Sequence, residues 1–258
     1  MRLVVLGSGS TVPHAQRTSS AYWLETSGGN ILLDCSATAP HQMAKFGVDW
    51  PNLDAIWISH FHMDHVGGLG PLFAGIKHAP EMRDRKKPLR IYGPKGTERL
   101  FDGISLVRDY KLREQPFPIE VVEIVGPEKF EIVPSVEAVA MKTPHTDESH
   151  AIHIRDGKVT VMYSADTGFD EKLATFASGV DLMILECTFV REKPSQKHLV
   201  LREAIDLINK ANPRRAMLTH FYPEWDDVDF EKEVAALGPL CEVMQAEDGL
   251  TIEITESG

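Results

Sequence analysis

The chain has 258 residues, of which 43% are hydrophobic and 25% are charged, as in ordinary folded domains. Its formal net charge of −11 argues against general adhesion to nucleic acid or to an anionic membrane. No apolar stretch is long enough to span a bilayer, and the N-terminal apolar run is too short for a signal peptide. The three cysteines, Cys35, Cys187 and Cys241, are widely spaced. They indicate neither a disulfide framework nor a cysteine-based zinc site, and we expect a reducing, cytoplasmic location.

Short apolar runs between turn residues predict strands, and apolar residues at helical spacing predict helices. In the first half of the chain we expect strands at residues 2–6, 21–25, 31–34, 55–58 and 89–92, and helices at 39–46, 69–78 and 97–107. In the second half we expect strands at 119–125, 130–133, 136–141, 152–154, 159–163, 181–186, 215–218 and 250–254, and helices at 170–177, 200–210 and 230–237. This mixture indicates layered α/β packing. No internal repeat, low-complexity tract or linker is visible, so we expect a single domain over residues 1–258.

The segment His60-Phe61-His62-Met63-Asp64-His65 follows the strand expected at 55–58. Its imidazoles and carboxylate are ligands that zinc and related divalent cations prefer. Side chains alternate along a strand, so His60 and His62 share a direction only while the chain stays extended. A turn then brings Asp64 and His65 to a neighbouring position. The spacing therefore favours two adjacent metals over a polar loop whose histidines are merely solvated.

Three further candidate ligands lie just beyond expected strands, where loops gather into sites. They are His145, Asp166 and His220. Taken one at a time, each is equally well explained as a turn residue.

The His-x-His-x-Asp-His pattern after a strand resembles the signature of the metallo-β-lactamase fold superfamily. The resemblance implies an α/β fold, a four-layer αββα sandwich, with two divalent metal ions: zinc, or alternatively manganese or iron. It also implies a ligand assignment, with Asp166 bridging the two metals. The other ligands are His60, His62 and His145 for one metal, and Asp64, His65 and His220 for the other.

Two such cations about 3.5–4 Å apart lower the pKa of a shared water and hold a substrate oxygen. The expected nucleophile is metal-bound hydroxide, directed at phosphorus or at a carbonyl carbon, with Asp64 helping to position it. Because only Asp64 and Asp166 are anionic ligands, the centre keeps a positive charge that favours small anionic substrates. A redox di-iron centre on this scaffold would have a carboxylate at the position of His62, so histidine there favours hydrolysis.

Further stretches are similar to the RNase Z group, whose members trim the 3′ ends of tRNA. They are residues 6–9, 17–20, 32–35, 87–96 and 218–221. Glu186, in Glu186-Cys187-Thr188-Phe189, and His198 match a pair that this group uses near the leaving group. A carboxylate hydrogen-bonded to an imidazole raises its basicity and fixes its tautomer, so the resemblance implies that His198 is a general acid. The alternative for His198 is a helix-start residue satisfied by local backbone.

RNase Z enzymes that act on tRNA generally carry a protruding arm between the third metal histidine and the bridging aspartate. Here the interval from His145 to Asp166 is 166 − 145 = 21 positions, and the expected hairpin at 152–163 fills it. Together with the negative charge, this favours a small phosphodiester or a nucleotide over tRNA, although a separate exosite stays open.

The basic cluster at 83–90 has two interpretations, a solvated face or a rim that attracts anionic substrate. It comprises Arg83, Arg85, Lys86, Lys87 and Arg90.

The leading hypothesis is therefore a dinuclear metal-dependent hydrolase, a phosphodiesterase resembling RNase Z. Its first alternative is a lactone or thioester hydrolase that uses the same site on a carbonyl carbon. A tRNA 3′-end endoribonuclease and a non-catalytic binding protein are less favoured, the latter because none of the seven ligand positions is degraded. RNase Z relatives are often dimers, so a homodimer is a further expectation, although no stripe in the sequence marks an interface.

Overall fold

The strands of this protein are buried along most of their length, which requires cover on both faces of each sheet. The computed structural model describes residues 1–107 and 111–256. The strands are β1 (Arg2–Gly7), β2 (Ala21–Glu25), β3 (Asn30–Leu33), β4 (Leu53–Trp57), β5 (Leu89–Pro94), β6 (Ile119–Ile124), β7 (Phe130–Val133), β8 (Val136–Lys142), β9 (His150–Asp156), β10 (Val159–Tyr163), β11 (Leu182–Glu186), β12 (Arg215–Thr219), β13 (Glu242–Gln245) and β14 (Thr251–Glu253). The helices are α1 (Ala39–Lys45), α2 (Met63–Val66), α3 (Leu69–His78), α4 (Thr97–Leu106), α5 (Glu171–Phe176), α6 (Leu201–Ala211) and α7 (Phe230–Ala236).

The strands form two seven-stranded mixed sheets of matching design. The first has the order β14-β1-β2-β3-β4-β5-β6, and the second has the order β13-β12-β11-β10-β9-β8-β7. In the first sheet, β3 to β6 are parallel and the remaining pairs are antiparallel. In the second sheet, β10 to β13 are parallel and the remaining pairs are antiparallel. Each sheet therefore has one edge at which the carboxyl ends of parallel strands meet.

Two hydrophobic cores hold four layers together. Helices α1, α3 and α4 cover the outer face of the first sheet, where Met43, Phe73 and Phe101 pack against strand residues such as Trp23. The larger core fills the space between the sheets and continues beneath α5, α6 and α7. The architecture is thus the αββα sandwich that the sequence resemblance implied. The predicted apolar face of α6 is confirmed, since its members are all buried: Leu201, Ala204, Ile205 and Ile208.

The predicted elements are present, with ends that differ by a few residues. The sequence interpretation missed β13, a half-buried strand parallel to β12 at the sheet edge. It also missed α2, a single turn inside the His60–His65 segment. Both are short, so their apolar pattern is too brief to be distinguished from a loop. Within residues 1–107 and 111–256, no helix combines the length and apolar character needed to cross a bilayer.

Candidate metal centre

The seven predicted ligands converge at the carboxyl ends of the central strands of both sheets. The His60–His65 segment follows β4, and its α2 turn brings Asp64 and His65 beside the two preceding histidines. His145 follows β8, Asp166 follows β10 and His220 follows β12. The backbone at His220 has a φ of 64°, and Ala165 beside Asp166 has a φ of 52°. Such left-handed conformations are unusual for residues with a side chain and recur where a functional group must be aimed.

These side chains form two groups that share one carboxylate. We call them the first cluster, with His60, His62, His145 and Asp166, and the second cluster, with Asp64, His65, Asp166 and His220. Within each cluster, one nitrogen or oxygen per residue lies within 4.8 Å of all the others. In the first cluster, His62 Nδ1 and His145 Nε2 face each other at 3.1 Å. The arrangement matches the ligand sets implied by the sequence, with Asp166 between them.

The donor chemistry of both clusters fits divalent cations. The Nε2 atoms of His60, His65 and His220 are buried and have no hydrogen-bond partner among the described residues. They lie 3.7, 3.2 and 3.3 Å from the Asp166 carboxylate, without the alignment of a hydrogen bond. Leaving buried polar atoms unpaired is costly. Bare imidazole nitrogens around a buried carboxylate are the donor set of a zinc-like cation.

The opposite nitrogen of most of these rings is held by a partner. Nδ1 of His65 lies 2.7 Å from the Asp34 carboxylate, and Nδ1 of His145 lies 3.0 Å from the Lys197 carbonyl. Nδ1 of His60 lies 3.0 Å from the Ser59 hydroxyl, and Nδ1 of His220 lies 2.9 Å from the Thr188 hydroxyl. An Nδ1–H donated outward leaves a neutral ring with its Nε2 lone pair directed inward. The four rings are therefore preset to present Nε2 to the clusters.

The electrostatics of the clusters follow from burial and mutual contact. Burial lowers the pKa of His60, and the neighbouring His65 lowers it further, so the ring is held neutral. Burial would raise the pKa of Asp166, but His220 and His65 outweigh it and hold that pKa well below its usual range. Burial would lower the pKa of His65, but Asp166 and Asp34 outweigh it and raise that pKa well above its usual value. Metal binding would displace this proton, since a neutral imidazole and an ionised carboxylate are the forms that bind metal.

Glu186 and His198 form the predicted pair beside the second cluster. His198 Nδ1 lies 2.8 Å from Glu186 Oε1, and the carboxylate also accepts hydrogen bonds from the backbone N–H groups of Thr167 and Leu199. Burial would lower the pKa of His198, but the hydrogen bond and the charge of Glu186 outweigh it and raise that pKa. The His198 ring stacks on His220 at a centroid distance of 5.4 Å. It precedes α6 without joining it, and its partner is Glu186 instead of local helix backbone.

The sequence interpretation gave no role to three residues behind the ligands, Asp34, Ser59 and Thr188. Asp34 is buried, has a φ of 57° and accepts hydrogen bonds from Ser59, His65 and Tyr163. Its one available signal was position, because it follows β3 as the ligands follow other strands. Polar residues of this kind serve as turn residues in most proteins, so sequence alone did not separate them.

The basic cluster at 83–90 lies away from the metal centre. Arg85 donates to the carbonyl of Pro51, and Lys87 pairs with Asp54 near the start of β4, whereas the ligands follow the end of β4. Arg90 pairs with Glu120 on the neighbouring strand. These contacts favour the solvated face over the substrate rim. The interval between His145 and Asp166 holds β9 and β10, the predicted hairpin, and no arm.

Fold and site together define the class of protein. The structure is similar to that of the metallo-β-lactamase fold protein YhfI from Bacillus subtilis, with a TM-score of 0.81, 23% identity and coverage of 97% of this chain and 98% of that one. It is similar to the short form of human tRNase Z, with a TM-score of 0.81, 22% identity and coverage of 99% and 100%. At these identities the likeness shows the fold.

Sequence relatives extend the likeness to function. Ribonuclease Z of Shouchella clausii is 28% identical, over 100% of this chain and 98% of that protein. The probable metallo-hydrolase YhfI of Bacillus subtilis is 26% identical, over 85% and 86%. The chain is a metal-dependent hydrolase of the metallo-β-lactamase fold, in the branch that resembles RNase Z phosphodiesterases. The family model described as Anti-Pycsar protein Apyc1 matches residues 1–238, and the chain belongs to that family.

Proposed function

We propose that the protein hydrolyses a small phosphodiester, such as a nucleotide, with two divalent cations and with His198 as the general acid. The observation that carries the proposal is the Glu186–His198 pair, because His198 lines one cavity of about 370 Å³ together with residues of both clusters. The centroid of the His198 ring lies 4.8 Å from that of His145 and 5.4 Å from that of His220. A proton donor at this position suits a leaving group of high pKa, such as a sugar alkoxide.

The proposed ligands are those of the two clusters, with Asp166 shared. When bound, a pair of divalent cations lowers the pKa of water and polarises a phosphoryl oxygen. Zinc is the proposed metal, because imidazole nitrogens dominate the ligand set; manganese and iron are the alternatives. Asp64 is 8% exposed and lines the cavity, where it is placed to orient the attacking water as well as to bind metal.

His198 would hold its transferable proton at Nε2, because Nδ1 is occupied by Glu186. Glu186 is 1% exposed and is surrounded by hydrogen-bond donors, so it does not reach substrate and acts by positioning His198. The loop that carries His198 passes close to Gly168, where an added Cβ would lie 2.2 Å from the Gln196 carbonyl oxygen. This close approach supports a fixed position for the acid against the loop after Asp166.

The size of the cavity and the missing arm support a small substrate. A volume of about 370 Å³ lies in the range of small-molecule pockets. The alignment with ribonuclease Z of Shouchella clausii has 318 positions, which exceeds the 258 residues of this chain by 60. Those positions lie opposite gaps in this chain, so that relative has segments that are absent here. A net charge of −11 adds a penalty for a long polyanion such as tRNA.

A homodimer and a cytoplasmic location are part of the proposal. Leu106 and Val107 are exposed apolar residues at the end of α4, and Val107 lines a cavity with Pro71 and Ala74 of α3. An apolar patch of this kind supports self-association. The cysteines are unpaired, and Cys35 and Cys187 are buried, which suits a reducing compartment.

A substrate panel on protein of measured metal content tests the proposal. The panel contains bis(p-nitrophenyl) phosphate, cyclic nucleotides, a 3′-extended tRNA, a lactone and a thioester, with chelator-treated protein as the blank. We expect turnover of the phosphodiesters and none of tRNA. Cleavage of the tRNA 3′ end would contradict the small-substrate proposal. Turnover of the lactone or thioester alone would replace the phosphodiester with a carbonyl substrate.

A further inference from the structure

The hydroxyl group of Thr188 stands between the metal centre and the acid. Its Oγ1 lies 2.8 Å from Glu186 Oε2, 2.9 Å from His220 Nδ1 and 3.2 Å from His198 Nδ1. Thr188 is fully buried, so no solvent competes for these contacts. One hydroxyl therefore contacts a ligand of the second cluster, the acid and the carboxylate that positions the acid.

The directions of these hydrogen bonds follow from the donors available. An ionised carboxylate only accepts, so the single O–H of Thr188 donates to Glu186. The hydroxyl oxygen then accepts the Nδ1–H of His220, which leaves Nε2 of that ring bare toward the second cluster. His198 donates its own Nδ1–H to Glu186 at the shorter distance of 2.8 Å. Both rings thus take their tautomer from Glu186, one directly and one through Thr188.

Ser59 repeats this arrangement on the first sheet, with its hydroxyl directed to His60 of the first cluster. Its Oγ lies 2.7 Å from Asp34 Oδ2 and 3.0 Å from His60 Nδ1, while Asp34 also accepts directly from His65 at 2.7 Å. By the same donor argument, the Ser59 hydroxyl donates to Asp34 and accepts from His60. Each sheet therefore supplies one buried carboxylate that holds one imidazole directly and a second through a hydroxyl.

We propose that Thr188 and Ser59 are positioning residues with separate targets. The Thr188 hydroxyl fixes the tautomer of His220 and thereby couples the second cluster to the His198 acid, whereas the Ser59 hydroxyl fixes His60 in the first cluster and does not reach the acid. The proposal rests on the proposed function for the metals and for His198. It deepens that function by assigning a distinct role to each hydroxyl.

Metal binding without substrate is the first test. Apo forms of the wild type, Thr188→Val, Thr188→Ser and Ser59→Ala are titrated with Zn²⁺ against a chromophoric chelator, and thermal unfolding verifies that each is folded. Thr188→Val keeps the shape of threonine and removes the hydroxyl, so we expect one of the two equivalents to weaken by about 10–100-fold. Ser59→Ala should weaken one equivalent by a similar factor, and Thr188→Ser should restore wild-type binding.

The Asp64→Ala background identifies which equivalent changes. Asp64 belongs to the second cluster alone, so this variant leaves the first cluster as the tight site. In that background Ser59→Ala should still weaken the tight site, and Thr188→Val should not. If both substitutions act on the same site, or if Thr188→Ser is no better than Thr188→Val, the proposal is wrong. If Thr188→Val does not fold, Thr188→Ala is the second hydroxyl-free variant.

Leaving-group dependence at saturating Zn²⁺ is the second test. Thr188→Val should lower kcat at least about 10-fold more for a poor leaving group than for p-nitrophenolate, because it also loosens the support of His198. Ser59→Ala should lower kcat for both by the same factor. If Thr188→Val lowers kcat equally for the two leaving groups, the proposed coupling between the second cluster and His198 is wrong. The titration contains no substrate, so a failure of the phosphodiester proposal would leave its result unchanged.

Discussion

The two clusters share Asp166, with three histidines and one aspartate in the first and two of each in the second, and they also differ in their surroundings. In the first cluster His62 is exposed, and His145 is held by a backbone carbonyl. In the second cluster all four residues are buried, and the two histidines are held by Asp34 and Thr188 side chains. Both metal positions border the cavity, the first through His62 and the second through Asp64 and His220. The clusters therefore differ in the exposure of His62 and in the side chains that hold the histidines of the second cluster.

This difference predicts separate roles for the two metal positions. Because His62 is exposed to solvent, we expect the metal of the first cluster to exchange more readily. The second position is joined through Thr188 and Glu186 to His198, so its geometry is linked to that of the proposed acid. Asp166 is the only residue that belongs to both clusters, and it should be the most sensitive position in the site.

Replacement of the shared ligand should have the largest effect. Asp166→Ala removes a carboxylate from both clusters, so we expect turnover to fall to background and both metal equivalents to weaken. Asp64→Ala should weaken mainly one equivalent. Metal content by mass spectrometry and turnover of bis(p-nitrophenyl) phosphate measure the two effects. Activity retained by Asp166→Ala at normal metal content would contradict the proposed ligand assignment.

Removal of the proposed acid should be selective for the leaving group. His198→Ala is expected to slow hydrolysis of substrates with poor leaving groups by about 10²–10⁴-fold. It should affect p-nitrophenyl esters far less, because p-nitrophenolate departs without protonation. The comparison requires kcat for both substrate types at saturating metal.

The control for this substitution is His41→Ala, which changes an exposed histidine on α1. It should leave both activities unchanged. An equal loss on both substrates for His198→Ala would remove the acid role and would assign the residue to the support of His220.

How much of the site could be predicted from the sequence depends on whether its residues are neighbours in the chain. His60 to His65 are contiguous, so their spacing alone indicates a metal site. His145, Asp166 and His220 are dispersed, and a family pattern was needed to join them, because strand order in space is not readable from local periodicity. Thr188 and Ser59 were not predicted, since a threonine or serine acquires its role from atoms brought close by tertiary packing. The fold followed from the resemblance, and the elements that were not predicted are short: α2, β13 and the 3-10 turns Trp50–Asn52, Pro80–Met82 and Pro223–Asp227.

Removal of the metals by a chelator should reveal a smaller difference, the order in which the two positions lose their metal. As chelator is added, the metal at the exposed first cluster should leave before the metal at the second, which gives a species with one equivalent. A ligand at 100 times its dissociation constant stabilises the folded state by about 2.7 kcal/mol, so the melting temperature should fall in two steps. Metal content followed with differential scanning calorimetry measures both. Loss of both metals in a single step would contradict the difference in exposure.

The smallest effect is expected from the basic cluster at 83–90, which marks the end of the first sheet opposite both metal positions. A five-residue strand such as β4 spans about 17 Å, which exceeds the Debye length of about 8 Å at physiological salt. Exposed charges at that distance are screened, so the double substitution Arg83→Ala with Lys86→Ala should leave kcat/KM and its salt dependence unchanged. Lys87 is left intact in this variant, because it pairs with the buried Asp54 carboxylate and so has a structural role. A fall in kcat/KM for anionic substrates that disappears at high salt would show instead that charge at this end of the sheet steers substrate to the metal centre.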